Sequence, residues 1–414
     1  HCLPKSMRSC PMSKTQTMPL DQFVTFQRGF DLPKTQFSEG KYPVYGSTSI
    51  IGYHNEFKVK APGVITGRSG TLGNFQYAKS DFWPHNTSLW VKDFKGNHPK
   101  FAYYLMRCLS FEDLNSGGAV PTLNRNVLKS FKVDVPPIKI QKHIAAILSA
   151  YDDLIENNLK RIKLLEEMAQ ITYEEWFVRM KFPGHETAVF DEESKLPVGW
   201  SRSKVGESVF VGRGSSPRPI SDQVYFENGD IPWLKIADAT ASHIYVHKTK
   251  LHVNSYGASF SRKLQPGSIV VAASGTLGFP IFLATEACVH DGWLYFDEVP
   301  EHMTEYFYFT FFYLKEYFER ISYGAAIQNI NTGIVKGAPL ILPPKELLEA
   351  FSKKAGNIFK IILDLQKQNE LLTEARDILL PRLMTGMIDI EQVELPEAML
   401  SRLEQQEDKM ATAV

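Results

Sequence analysis

Two short loops carry the residue types that let a backbone approach phosphate closely with hydroxyls beside it. They are Gly67-Arg-Ser-Gly-Thr-Leu-Gly73 and Ser274-Gly-Thr-Leu-Gly278. Neither has the spacing of a dinucleotide loop, and no Gly-Lys-Ser/Thr follows, so neither is a nucleotide cradle. Gly212-Arg-Gly-Ser-Ser-Pro217 begins like one but has proline where the third glycine belongs. Asp134-Val-Pro-Pro137 is close to the Asp/Asn-Pro-Pro-Tyr motif with which amino-methyltransferases hold a base amine. Here valine interrupts, Ile138 follows, and the matching Ile341-Leu-Pro-Pro344 has no acid. Proline presetting the first turn of a helix is the better reading of both. Glu56-Phe-Lys58 and Glu193-Ser-Lys195 have a nuclease-like spacing without an acidic partner, and His243, His247 and His252 share a lysine-rich loop that reads as surface rather than as a metal site. Cys2, Cys10, Cys108 and Cys288 form no CxxC, which excludes a disulfide scaffold and a thiolate zinc site. The residues point away from catalysis by this chain, and no metal or cofactor is expected on it.

The elements that would position these loops are written twice. Pro62-Gly-Val-Ile-Thr66 precedes the first loop and Pro266-Gly-Ser-Ile-Val-Val271 the second. Gly118-Ala-Val-Pro-Thr-Leu-Asn124 answers to Gly324-Ala-Ala-Ile-Gln-Asn-Ile-Asn331, and Val135-Pro-Pro137 to Leu342-Pro-Pro344. Phe26-Gln-Arg-Gly29 matches Val211-Gly-Arg-Gly214 at a shorter offset, so the second copy holds extra residues, expected around Asn228–His252. Ordered matches of this kind signal an internal duplication. Each copy opens with a Val-, Ile-, Phe-, Tyr- and Thr-rich segment punctuated by turn residues, which predicts a mixed, strand-dominated α+β domain with helices ending near Arg107 and over Glu305–Arg320.

After each Pro-Pro the pattern turns helical. Leu148, Tyr151, Ile155, Asn158, Ile162, Leu165, Ala169, Thr172 and Trp176 alternate steps of three and four. Phe351, Ala355, Ile358, Ile362, Leu365, Asn369, Leu372, Arg376, Leu379 and Leu383 do the same. Such a seam predicts two coiled-coil helices, each about 60 Å long, with Asn158, Asn369 and Arg376 as polar residues that fix register or partner. Because the chain must return to begin its second copy, an antiparallel pair is expected, with the sheet domains at its two ends. The division is then a first domain over 1–137 (residues 1–13 extraneous to it), a central helix over 138–182 stopped by Phe182-Pro-Gly184, a linker over 183–196, a second domain over 197–344, a distal helix over 345–386 and a tail over 387–414.

At 43% hydrophobic and 22% charged, the 414 residues describe a folded chain. The densest apolar run, Tyr306–Leu314, is broken by Lys315 and Glu316, and the N-terminus lacks a signal pattern, so a cytoplasmic protein is expected. Zero net charge argues against a generic polyanion binder. It hides a split: residues 1–137 hold 17 basic and 9 acidic residues, residues 183–344 hold 13 and 17. A nucleic acid could use the first field directly.

The stretch Pro136-Pro-Ile-Lys-Ile-Gln-Lys-His-Ile-Ala-Ala-Ile-Leu-Ser-Ala-Tyr-Asp-Asp-Leu-Ile-Glu-Asn-Asn158, with Leu164-Leu-Glu-Glu-Met-Ala-Gln170 and Glu175-Trp-Phe177, resembles the central conserved region of type I restriction–modification specificity subunits. Arg376-Asp-Ile-Leu-Leu-Pro-Arg-Leu-Met-Thr-Gly-Met-Ile-Asp389 is similar to the family's distal conserved end. The resemblance implies two target-recognition domains, each reading half of a bipartite, asymmetric DNA site, and helices that space the halves and dock two modification subunits. Those subunits would bind S-adenosylmethionine and methylate adenine; two restriction subunits would add ATP- and Mg-dependent translocation and cleavage. The alternative from another class is a helical scaffold with two protein-binding domains.

Within that reading, base edges need Arg, Lys, Asn, Gln, Ser or Thr, while phosphate contacts only position the domain. The candidates are Arg68, Ser69 and Thr71 on the first loop, then Thr122, Asn124, Arg125, Asn126 and Lys129. In the second copy they are Ser274 and Thr276, Gln328, Asn329, Asn331, Thr332 and Lys336. Trp233 and Lys235 join them because Asp230-Ile-Pro-Trp-Leu-Lys235 is similar to a pattern in these domains. Residues shared by two domains with different targets are poor base readers, so copy-specific residues such as Arg68 and Arg125 are favoured over the shared Ser-Gly-Thr.

Overall fold

A computed structural model describes residues 15–68, 73–109, 131–322, 329–399 and 401. They fall into two compact units, His1–Asn157 with Asn369–Val414, and Asn158–Gln368. In the first, Thr25–Arg28, Ser88–Asp93, Gly63–Gly67 and Phe75–Ala78 form an antiparallel sheet in that order. Gly63–Gly67 is buried throughout, so its Val-Ile-Thr run needs no polar alternation. A smaller sheet orders Ile50–His54, Tyr42–Tyr45 and Trp83–Pro84. Gln16–Pro19 pairs with Lys132–Val135, Gln16 opposite Val135, and so closes the domain just before Pro136. Helix Pro99–Arg107 has proline in its first turn, is capped by His98 accepting from the Phe101 amide at 3.3 Å, and buries Phe101, Tyr104 and Leu105 in a core with Phe23, Val64 and Phe75.

The second unit repeats this plan. Its larger sheet runs Phe210–Arg213, Trp293–Asp297, Ile269–Ala272, Pro280–Leu283, Tyr245–Val246. The smaller runs Leu251–Val253, Ile231–Leu234, Ala287–Val289, Arg262–Leu264. Ser201–Lys204 pairs with Pro339–Leu342 as the closing ribbon. Most of the extra length falls between Ile231–Leu234 and Leu251–Val253, where helix Ile236–Thr240 and strand Tyr245–Val246 have no counterpart among the described residues of the first unit. The fold is thus two repeated mixed α/β domains joined by two long helices. Among the described residues no helix is long and apolar enough to cross a membrane.

Both Pro-Pro pairs start helices. Pro137 accepts from the amides of Ile140 and Gln141 at 2.9 and 3.1 Å, and Pro344 from those of Leu347 and Leu348 at 3.0 and 3.2 Å. The central helix spans Ile138–Tyr173 and continues as a π-turn over Glu174–Val178; the distal helix spans Lys345–Met384. In the first unit Arg376, late in the distal helix, meets Asp152, early in the central one, at 2.7 Å. In the second, Phe351, early in the distal helix, packs on Tyr173 and Phe177, late in the central one, at 6.0 and 5.0 Å. Both contacts require antiparallel helices.

The seam residues are not equally buried. Leu148, Ile162, Ile358, Ile362 and Leu365 are buried; Tyr151, Ile155, Leu165, Leu372 and Leu379 are partly so. Beyond Ala169 the seam departs from the heptad: the buried residues are Tyr173 and Phe177, not Thr172 and Trp176. A helix of 3.6 residues per turn drifts about 20° per heptad, and the π-turn widens the last turn further. The helical stretch also stops at Val178 rather than at Phe182, with Met180 in the left-handed region at φ 57° and Phe182 turned onto Trp200 at 5.4 Å.

Candidate nucleic-acid interface

In the second unit, strand Ile269–Ala272 runs out into the glycine loop, which turns on Gly275 and Gly278 at φ 72° and 74°. Ser274 forms an antiparallel bridge with Asn329, and the Ile330 amide donates to the Ala273 carbonyl at 2.9 Å. The glycine loop thus adjoins the described end of the second repeated loop, with Ser274 and Thr276 half-buried and Asn329 exposed. Asn331 is instead a helix cap: its Oδ1 accepts from the Ile334 amide at 2.9 Å and starts Thr332–Lys336.

A second pair of loops adjoins the first. The Ala273 amide donates to the Gly292 carbonyl at 2.8 Å, which brings His290-Asp291 alongside Ser274. Asp291 in turn holds the Arg213–Arg218 loop, accepting from Ser216 Oγ at 2.6 Å and Arg218 Nη2 at 2.8 Å. The Ser216 hydroxyl leads in holding the Asp291 carboxyl below the ordinary carboxylate range, against burial, which raises it, and with the Arg218 charge adding to the lowering. In the first unit the equivalent neighbours are joined alike, with the Arg68 amide donating to the Thr87 carbonyl at 3.0 Å.

The model of the type I restriction modification DNA specificity domain matches residues 12–167 and again 197–379, well over half of the chain. The chain belongs to this family. It is 25% identical over 315 residues to the MjaIX specificity subunit of Methanocaldococcus jannaschii, covering 71% of this chain and 70% of that protein. It is 25% identical to the HindI specificity subunit of Haemophilus influenzae, covering 66% and 72%. In fold it is similar to the crystal structure of a type I restriction–modification S subunit from M. genitalium, with a TM-score of 0.59 at 17% identity over 92% of this chain and 98% of that one.

Not every candidate of this specificity-domain protein reaches the surface. Trp233 is 1% exposed, in a strand flanked on both sides, and packs on Phe226 at 5.2 Å and His290 at 5.5 Å. It is a core residue and not a base contact. Lys235 is exposed at the end of the same strand. Arg68 is half-buried where its twin Ala273 is fully buried, so its side chain is an addition peculiar to the first domain. Ser69, Thr71, Thr122, Asn124, Arg125, Asn126, Lys129 and Gln328 lie outside the described residues. The sequence reading missed Asn86 and Asp291 altogether. The signal was present: Pro84-His85-Asn86 stands at the same offset from Val289-His290-Asp291 as the glycine loops do from each other.

His243, expected on a surface loop, is half-buried with Nδ1 3.1 Å from Glu166 Oε1 on the central helix. That hydrogen bond raises the imidazole above its ordinary range, against the opposing effect of burial. A raised folded-state value contributes stability that is full below about pH 6.5 and is lost as pH rises through the folded value. The His243→Gln variant is therefore expected to melt below the parent near pH 6, by no more than about 1 kcal/mol, and level with it near pH 9. A gap that widens with pH would contradict the pairing.

Proposed function

We propose that this chain is the DNA-recognition subunit of a type I restriction–modification complex, each mixed domain reading one half of a bipartite, asymmetric sequence. The observation that carries the reading is the recurrence, in both copies, of polar loops at matched positions of the repeated fold. Two such readers with different loop residues suit two different half-sites. Arg68, Lys235, Ser274, Thr276 and Asn329 are the described candidates for DNA contact. The chain acts without chemistry of its own: modification subunits bind S-adenosylmethionine and methylate adenine, and restriction subunits use ATP and Mg. Docking on the helices is supported by Leu164, Met168 and Ile171, an apolar stripe on the central helix exposed by 64, 46 and 57%. Family membership disfavours the protein-binding scaffold.

The test is a duplex-binding series with the chain and its modification subunits. One sequence is expected to bind about 10³-fold or more tighter than scrambled DNA at the same salt; equal affinity would overturn the reading. Within it, Arg68→Ala is expected to weaken one half-site only, by about 1–3 kcal/mol. Uniform weakening on all sequences would reassign Arg68 to phosphate.

A further inference from the structure

We propose that each domain carries a base-reading pair formed across two loops: Asp31 with Asn86 in the first, Ser216 with Asp291 in the second, where Arg218 extends it. The inference rests on the DNA-recognition reading above.

The frame around the pair is the same in both domains. Arg28 Nε donates to the Asn86 carbonyl at 3.4 Å, and Arg213 Nε to the Asp291 carbonyl at 2.7 Å. Gly29 and Gly214 lie so near the opposite loop that a Cβ would stand 2.1 Å from the His85 carbonyl and 2.2 Å from that of His290. Only glycine permits that approach. Nδ1 of His85 and of His290 accepts from the amide two residues on, at 3.4 Å from Thr87 and 2.8 Å from Gly292.

On this constant frame the tips differ. Asp31 and Ser216 each stand three residues after the framing arginine, and Asn86 and Asp291 each directly follow the framing histidine. Asn86 Nδ2 donates to Asp31 Oδ1, whereas Ser216 Oγ donates to Asp291 Oδ1. The carboxylate has changed loops. A pair of readers needs the same presentation and different chemistry, and a fixed frame with exchanged tips meets that need. An asparagine amide matches adenine N6 and N7, a carboxylate accepts from cytosine N4, and a guanidinium forks onto guanine O6 and N7.

Arg218 sharpens the assignment. Pro33 stands at its place in the first domain, so it is copy-specific. Its side chain is 69% exposed, yet one edge is tied to Asp291 Oδ2 at 2.8 Å, and its carbonyl accepts from the Tyr225 hydroxyl at 2.9 Å. Holding one edge of the guanidinium leaves the other free for a base and reduces the ordering cost of using it. Arg218 thus reads a guanine of the second domain's half-site, and Asp291 is its positioning residue.

The experiment selects bound duplexes from a randomised library with the chain and its modification subunits. Arg218→Ala is expected to lose guanine preference at one position of one half-site, on the order of 5- to 150-fold, with the other half-site intact. Asp291→Asn keeps the shape of the side chain and should relax the same position less. The double variant Ser216→Asp, Asp291→Asn transplants the first domain's pair in the same loop order and should change the base chosen there. An Arg218→Ala protein with parental melting temperature that selects the parental motif would overturn the assignment, as would even weakening on every sequence. A parent that selects no sequence at all would overturn the DNA-recognition reading itself.

Discussion

Asp152→Ala is expected to destabilise the first unit by about 3–5 kcal/mol, the cost of leaving buried Lys100 without its carboxylate and Arg376 with only the half-exposed Asp377, at 2.9 Å. Arg376 Nη1 lies 2.7 Å and Lys100 Nζ 3.8 Å from the Asp152 oxygens, and the Tyr104 hydroxyl donates to the same group. The three charged side chains are only 9 to 18% exposed. Burial would raise the carboxyl, but the bonds from Tyr104 and Arg376, with Lys100 beside them, hold it below its ordinary range. Burial also presses the Lys100 ammonium down to about 8, with Asp152 opposing. Asp152→Asn keeps one acceptor oxygen for Arg376 and sets an amide donor opposite Tyr104, whose hydroxyl can accept it instead, so it should cost less. Arg376→Ala should resemble Asp152→Ala, and the double variant should cost less than the sum of the two by about 0.5–3 kcal/mol. Denaturant midpoints measure all four. Strict additivity would mean that the charges do not depend on one another.

This cluster also shows where sequence reading reaches its limit. Arg376 was legible as a polar break in an apolar seam, because the heptad is a one-dimensional pattern. Its partner was not, since Asp152 lies off the seam and Lys100 and Tyr104 come from a separate helix. The same holds at the candidate DNA-contact loops. The repeated Ser-Gly-Thr-Leu-Gly announced itself, and so did the closing Pro-Pro pairs, because each is a contiguous word. The frame of Arg28, Gly29 and His85, with its counterparts, is assembled from two words whose spacing differs between copies, and only the folded ribbon brings them together. Trp233 misled for the opposite reason. Ile231–Leu234 is bordered by Leu251–Val253 and Ala287–Val289, and both Trp233 and Leu234 are buried, so alternation gave no sign of which side chain faced inward.

Phe177→Ala and Thr172→Ala separate the two descriptions of the central helix most sharply. A strict heptad makes Thr172 a seam residue and leaves Phe177 beside it. The structure reverses their weights. Phe177 sits among Tyr306, Phe351, Tyr173 and Trp200 with ring centroids at 4.8, 5.0, 5.3 and 6.0 Å. Thr172 Oγ1 merely donates back to the Met168 carbonyl at 2.8 Å. Removing the Phe177 ring should therefore cost about 3–5 kcal/mol, and Thr172→Ala no more than about 0.5 kcal/mol. Urea unfolding of the full chain distinguishes them, and a larger loss at Thr172 would restore the heptad to the end of the helix. The asymmetry has a physical origin. A seam of small aliphatic residues tolerates supercoiling, whereas at Tyr173 the central helix must meet a domain whose helix, Thr304–Ser322, presents Tyr306, Phe309 and Tyr313 at 5.5, 5.4 and 5.2 Å. Rotating the last turn through a π-bulge turns Phe177 into that aromatic cluster and leaves Trp176 at its margin, so the contact with the recognition domain, rather than the coiled coil, decides how the helix ends.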